Sequence, residues 1–272
     1  MKKITSSFIL MILFLVSCTS TPPQTPTTTP VLLGTYTPTL APTATPTNTL
    51  QPTATACVTE PNSVSTLNSV QDKTSALIPN ATAIWYEDFH CNEISSGWGV
   101  AHAGPTTNIS VANGVITISV QKVEGKWEGI SPGSNSLEDN KGMLVLFKYT
   151  ADTLANLFIS TGEWQTPNYR RWGLTTDNSS RMWVGWEGSH WLSSYFPPEV
   201  LRPETWFYLT ISLGDDGQVT MKIWEKDDPN NHTDFQKRMP DSWKGRNWLS
   251  LFQLYEGTLE IDEYLEFSFE KP

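Results

Sequence analysis

The chain has 272 residues, 28 acidic against 18 basic, a formal net charge of −10 and three cysteines. No basic run is available to neutralise phosphates, which argues against a nucleic-acid partner. Twelve tryptophans make an unusually heavy aromatic load, and all of them lie after Ala81. At the N-terminus, Lys2 and Lys3 precede an uncharged apolar run from Phe8 to Val16, and Leu15-Val16-Ser17-Cys18 closes it. A charged head, a short apolar core and a small-residue exit describe a secretory signal, too short to be a spanning helix.

Leu15-Val16-Ser17-Cys18 resembles the lipobox of bacterial lipoproteins. The resemblance implies cleavage before Cys18, diacylation of that cysteine and loss of Met1 to Ser17. Two acyl chains hold a protein stably on a membrane where one is marginal. The expectation is a lipid-anchored protein on the extracytoplasmic face, touching the membrane through its anchor only. The competing reading is an ordinary signal that contains a cysteine.

From Thr19 to Ala56 there is no charged residue, and Thr and Pro alternate, as in Pro42-Thr43-Ala44-Thr45-Pro46-Thr47. Such a segment cannot bury a core, and Pro-rich linkers favour extended polyproline II. At roughly 3.1 Å per residue its reach is on the order of 100 Å. Glu60 to Asn80 is still polar, so order is expected to begin near Ile84. The predicted organisation is a signal over 1–17, anchor and disordered Thr/Pro-rich stalk over 18–80, and one domain over 81–272. Setting aside Glu60, Asp72, Lys2, Lys3 and Lys73, the domain keeps 26 acidic and 15 basic residues, about −11. That suits neutral ligands better than anionic lipid.

With Cys18 lipidated, Cys57 and Cys91 remain, and two cysteines in an oxidising compartment tend to pair. A Cys57–Cys91 disulfide would pin the end of the stalk to the first strand. Closing that loop stabilises by about 3–4 kcal/mol in the chain-entropy model. The alternative is two free thiols.

After Ala81 the pattern alternates with period two. Asn108 to Val111, the Asn113-Gly114 turn and Val115 to Val120 read as a hairpin. Gly142 to Thr150 sets Met143, Val145, Phe147 and Tyr149 on one face. Asn156 to Ser160, Arg170 to Thr176 and Arg181 to Trp186 are further short strands. Trp206 to Leu213, Gly214-Asp215-Asp216-Gly217 and Gln218 to Trp224 form the clearest hairpin. Leu249 to Leu254 and Thr258 to Phe269 close the domain. Helix is expected only as a turn at Leu154-Ala155 or around Pro198-Glu199-Val200-Leu201. Many short antiparallel strands predict an all-β sandwich or barrel.

The order of Tyr86-Glu87-Asp88-Phe89, Ser96-Gly97-Trp98, Asn113-Gly114-Val115, Pro203-Glu204-Thr205-Trp206-Phe207-Tyr208-Leu209, Asp216-Gly217 and Gly257-Thr258-Leu259-Glu260-Ile261-Asp262 resembles the concanavalin A-like lectin/glucanase superfamily, including its laminin-G-like members. The resemblance covers about residues 84–270. It implies a jelly-roll β-sandwich of antiparallel sheets and, for many members, polysaccharide binding or cleavage. Glu260-Ile261-Asp262 is similar to the start of the E-x-D-x-x-E strand of laminarinase-type glycosidases. The family's second Glu is missing, because Tyr264 and Leu265 hold its places. The fold at times holds structural calcium, for which Asp215, Asp216, Asp227 and Asp228 are the candidates. As residues they read most simply as turn formers, and no other cofactor is implied.

The densest aromatic cluster is Trp164, Tyr169, Trp172, Trp183, Trp186, Trp191 and Tyr195, interleaved with Arg171 and Glu187. Aromatic faces stack on the apolar C–H face of sugar rings. Trp164, Tyr169, Arg171, Trp183, Trp186, Glu187 and Trp191 are therefore the predicted carbohydrate-contacting set. The opposing reading makes the tryptophans sandwich core. Alternation predicts Trp172 and Leu174 facing inward, Arg171 outward, and Trp206 and Trp224 structural. No catalytic residue is assigned. The leading expectation is a cell-surface, non-catalytic carbohydrate-binding domain. One alternative is a glycoside hydrolase using Glu128, Glu163 or Glu187, and another is an adhesion domain with a protein partner.

Overall fold

A computed structural model describes residues 64–269 except 96, 102–103, 105, 133–136, 162–169, 177–181, 188–189, 192–200 and 242–243. At 64–65, 100–101, 182–187 and 190–191 the backbone alone is described. The signal, Cys18, the Thr/Pro stalk and Cys57 lie outside the described residues.

The first described element is a helix, α1 (Val64–Leu77). Order therefore starts well before Ile84, and a helix stands where the sequence reading expected only a polar, disordered segment. The reason is a sparse apolar stripe: Leu67, Val70, Thr74 and Leu77 recur at helical spacing within a polar segment. The helix stops where Asn80 takes a left-handed conformation (φ 64). It is tied to the strand that follows by Gln71, whose amide donates to Ala81 O at 2.9 Å and accepts from Ala83 N at 3.0 Å.

Among the described residues, the regular elements after α1 are strands joined by turns and loops. In chain order these are β1 (Ala81–Glu87), β2 (Trp98–Ala101), β3 (Thr107–Ala112), β4 (Val115–Val120), β5 (Glu128–Pro132), β6 (Lys141–Tyr149) and β7 (Leu154–Thr161). They continue as β8 (Arg170–Thr176), β9 (Met182–Glu187), β10 (His190–Trp191), β11 (Phe207–Leu213), β12 (Gln218–Glu225), β13 (His232–Arg238) and β14 (Leu249–Phe269). Leu154-Ala155 opens β7 rather than forming a helical turn, because Ala155 enters the apolar core with Leu157 and Ile159. Of the other suggested turn, residues 198–200 lie outside the described residues.

The pairings make two antiparallel sheets of a jelly-roll sandwich that share β14. Sheet A runs β3–β4–β14–β6–β11–β12–β13, with β1 beside the end of β14. Sheet B runs β2–β5–β14–β7–β8–β9–β10. The long β14 changes sheets at Gly257 (φ 94), where an added Cβ would sit 2.5 Å from Thr153 Cα. Only glycine fits that corner. The Asn113-Gly114 hairpin forms as expected, with both residues at positive φ (54 and 76).

The main core fills the space between the sheets. Met143, Val145, Phe147 and Tyr149 of β6 meet Leu157, Trp172 and Phe252 of sheet B. A second apolar layer lies on the outer face of sheet A, where α1 covers Ala83, Leu144, Leu265 and Phe267. Trp85, Trp98, Trp172, Trp224 and Trp248 are buried. The core reading therefore holds for these five tryptophans. Trp224 stacks on Tyr208 with centroids 5.3 Å apart, and Trp206 packs against the same layer.

Burial pushes Tyr149 up to about 12. It raises Tyr264 well above the usual phenol range, with Glu266 adding to the effect. Tyr86 and Tyr208 are also raised, by burial first and then by Glu263. A phenol whose folded pKa is raised supports the fold below its unfolded pKa near 10, and that support fades as pH climbs through the folded value. Stability is therefore expected to fall above about pH 10, reaching through about 12 for Tyr149. A phenolate absorbance titration should show these four ionising only as the circular dichroism signal collapses. Ionisation of all eight tyrosines near pH 10 in an intact fold would refute it.

Candidate ligand-binding face

Sheet B carries five of the seven predicted binding residues, Arg171, Trp183, Trp186, Glu187 and Trp191, on the adjacent strands β8, β9 and β10. In β7, Ala155, Leu157 and Ile159 face the core, so alternation turns Asn156, Phe158 and Ser160 to the outer face. In β8, Trp172 and Leu174 face inward as expected, which turns Arg171 and Thr175 outward. The expectation for Arg171 needs one correction. Its side chain lies on the outer face yet is only 5% exposed, with Cζ 5.2 Å from the centre of the Phe158 ring.

Two rows of residues cross the sheet. One runs Leu249, Ser160, Arg171, Trp186 and Trp191 on β14, β7, β8, β9 and β10. The other runs Gly129, Gln253, Asn156, Thr175 and Trp183. Each crosses four interstrand spacings, about 19 Å. Glu187 pairs with Arg170 on one side and His190 on the other. Trp183, Trp186, Glu187 and Trp191 thus hold backbone register positions in or beside these rows. Trp164 and Tyr169 lie outside the described residues.

The row positions depend on an irregularity at Gly173. The β8–β9 register shifts between Arg171 and Leu174. Gly173 has φ 155, and a Cβ there would meet Leu157 O at 2.3 Å and Phe158 Cα at 2.4 Å. The backbone of β8 therefore lies hard against β7, and the shift brings Arg171 opposite Trp186.

The outer face of sheet B is polar where the inner face is apolar. Asn156, Ser160, Arg171, Thr175 and Gln253 are all buried. Thr175 Oγ1 donates to Asn156 Oδ1 at 2.6 Å, which fixes the amide. Asn156 is fully buried, and among the described residues its amide nitrogen has no hydrogen-bond partner. A buried donor without a partner is costly, of order 1–3 kcal/mol. Such groups are commonly met by a buried water. Sequence reasoning missed Asn156, Phe158, Thr175 and Gln253. The available signal was a pair of polar residues four apart in β7, Asn156 and Ser160, which alternation places on one face of a largely apolar run.

The carboxylates proposed for hydrolysis are dispersed. Glu128 opens β5, is 2% exposed, and accepts a hydrogen bond from Thr107 Oγ1. Glu187 lies on β9, four interstrand spacings away, about 19 Å across the sheet before any offset along the strands. Acid and base in a glycosidase stand roughly 5–9.5 Å apart, so these two do not form such a pair. Glu163 lies outside the described residues. Glu260 and Asp262 are on sheet A, paired to Lys148 at 2.8 Å and Lys226 at 3.4 Å.

Asp216 Oδ1 accepts from Gln218 N at 2.8 Å, the contact of a turn residue. Among the described residues no three His, Cys, Asp or Glu side chains stand close enough together to hold a metal ion.

The chain matches no protein-family model and no curated protein. Solved structures share its fold. One is the CBM2 module of the evolved Dit of Lactobacillus casei BL23 phage J-1, at 14% identity and TM-score 0.51, over 71% of this chain and 98% of that one. Another comes from work on endo-acting O-glycanases of the human gut microbiota that initiate mucin breakdown, at 10% identity and TM-score 0.53, over 70% and 100%. A Bacillus licheniformis β-glucanase aligns at 10% identity and TM-score 0.48, over 68% and 98%. At these identities the likeness to the first two shows the fold alone.

Proposed function

We propose that the chain is a surface lipoprotein, anchored through Cys18, whose sandwich binds carbohydrate without cleaving it on the outer face of sheet B. The observation that carries this reading is the set of buried polar side chains there, Asn156, Ser160, Arg171, Thr175 and Gln253, in register with Trp183, Trp186 and Trp191. Apolar ring faces beside fixed hydrogen-bonding groups are what a pyranose needs. The CBM2 module and the O-glycanase structure, similar in fold, support a sugar ligand by analogy. In the same reading Cys57 is the disulfide partner of Cys91, which is disulfide-bonded, and the Thr/Pro segment lifts the domain from the membrane.

A glycan and polysaccharide array on the detergent-solubilised full chain tests the reading, with mass spectrometry of each incubated glycan. Binding with every glycan intact is the expected result. Shortened products would make the protein a hydrolase, and no binding on any glycan would overturn the carbohydrate reading.

A further inference from the structure

The connection between β4 and β5 carries an aromatic residue that the sequence reading passed over. Lys126 N donates to Val123 O at 3.0 Å, and Gly125 takes φ 75, the conformation a type II turn gives to glycine. The turn feeds the chain into β5 through Trp127. The Trp127 ring meets Tyr255 of β14, with centroids 5.6 Å apart and planes tilted by 43°. Lys122 Nζ lies 5.3 Å from the centre of the Tyr255 ring and 3.8 Å from Glu256 Oε2. Indole, lysine and glutamate thus gather around one phenol. Unlike the five core tryptophans, Trp127 is half-buried, and so is Tyr255.

Register puts this pair on the outer face of sheet B. Ile130 and Leu254 enter the core, and Leu254 pairs with Glu128. Alternation then turns Trp127 and Tyr255 outward. Gln253, two residues before Tyr255, belongs to the row that runs through Asn156 and Thr175. Its other neighbour in that row is Gly129, where a Cβ would sit 1.9 Å from Phe252 O. No side chain rises from the sheet at that position, and none fits. The floor between the rings and the polar row is therefore low.

The spacing bears on what lies on this face. The row of Ser160, Arg171 and Trp186 crosses β14 at Leu249. Tyr255 is six residues further along the same strand, about 20 Å at the rise of an extended chain. One sugar ring cannot touch both places, whereas a run of linked sugars lying along β14 can. The C–H face of a pyranose stacks on an aromatic ring, and Lys122 and Glu256 stand beside the rings to meet its hydroxyls.

We propose that Trp127 and Tyr255 form a second aromatic subsite on this face, and that the ligand class is an extended glycan chain rather than a single terminal sugar. The inference rests on the carbohydrate reading of sheet B and deepens it. Trp127 supplies the stacking ring, Tyr255 supports it, and Lys122 with Glu256 supplies the polar contacts.

The test is isothermal titration of the detergent-solubilised full chain with dimers and hexamers of five sugars. These are β-1,4-linked glucose, xylose, mannose and N-acetylglucosamine, and β-1,3-linked glucose. For the sugar that binds, the hexamer should bind about tenfold or more tighter than the dimer, the scale of one well-placed aromatic contact. Trp127→Ala should abolish that difference, and Trp127→Phe, which keeps a ring, should restore part of it. The melting temperature should hold in both variants, because the indole is half-buried at the surface. Arg171→Ala should weaken both lengths. Equal affinity for dimer and hexamer, or a hexamer advantage that survives Trp127→Ala, would overturn the subsite and leave the carbohydrate reading standing. Binding of none of the ten compounds would count against the carbohydrate reading itself and would remove the subsite with it.

Discussion

Trp85→Ala is expected to destabilise the domain by about 3–5 kcal/mol, the range for deleting a large buried aromatic. Trp85 is fully buried, with ring centroids 5.1 Å from Tyr264 and 5.9 Å from Trp98. Trp98 in turn meets Phe89 at 5.4 Å, Tyr264 at 5.4 Å and Phe252 at 6.1 Å. The cluster joins β1 and the second half of β14, in sheet A, to β2 and the first half of β14, in sheet B. A cavity at Trp85 would loosen both sheets where they share a strand. The indole has little room to be replaced by collapse, because Tyr264 is anchored by its hydroxyl to Ser250 Oγ at 2.7 Å and Glu266 Oε1 at 2.9 Å. Equilibrium denaturant unfolding of the variant beside the parent protein checks this. A loss under about 1 kcal/mol would mean that the site closes around the gap and that the sandwich does not depend on this cluster.

The strands were legible because their evidence is local. Asn113-Gly114 specifies a tight turn through backbone conformations that few residues adopt, and the flanking residues alternate. The inward placement of Trp172 and Leu174 followed from alternation alone and holds. The helix α1 was not legible, because its apolar stripe of Leu67, Val70 and Leu77 is diluted by Ser, Thr, Gln and Asn. Its stability comes from docking on the layer of Ala83, Leu265 and Phe267, the last two about 190 positions further on, beyond any window of sequence. The same limit applied to the site. Arg171 was identified as outward-facing, but its burial depends on tertiary contacts such as the Phe158 ring. Asn156 and Gln253 are 97 positions apart in the numbering and meet only because β14 pairs with β7. Period-two reading gives the face of a residue and leaves its neighbours across the sheet undetermined.

Arg171→Ala is expected to weaken carbohydrate binding by about 30-fold or more, the scale of a hot-spot arginine. Arg171 sits mid-row between Ser160 and Trp186, and its stem and head are buried against Phe158. A guanidinium already packed beside a ring loses little freedom on binding, and a planar fork suits bidentate recognition. Arg171→Lys keeps the charge but loses the fork, so it should recover only part of the affinity. A purely structural Arg171 would behave differently: Lys and Ala would lower the melting temperature, and affinity measured well below that temperature would be unchanged. Trp206→Ala serves as the control, since Trp206 packs on the outer layer of sheet A and should leave affinity intact. Affinity surviving Arg171→Ala while falling in Trp206→Ala would move the binding face to sheet A. There Lys148 and Lys226 flank the Trp206 ring at 5.1 and 6.0 Å from its centre. The comparison therefore decides between the outer faces of sheet A and sheet B.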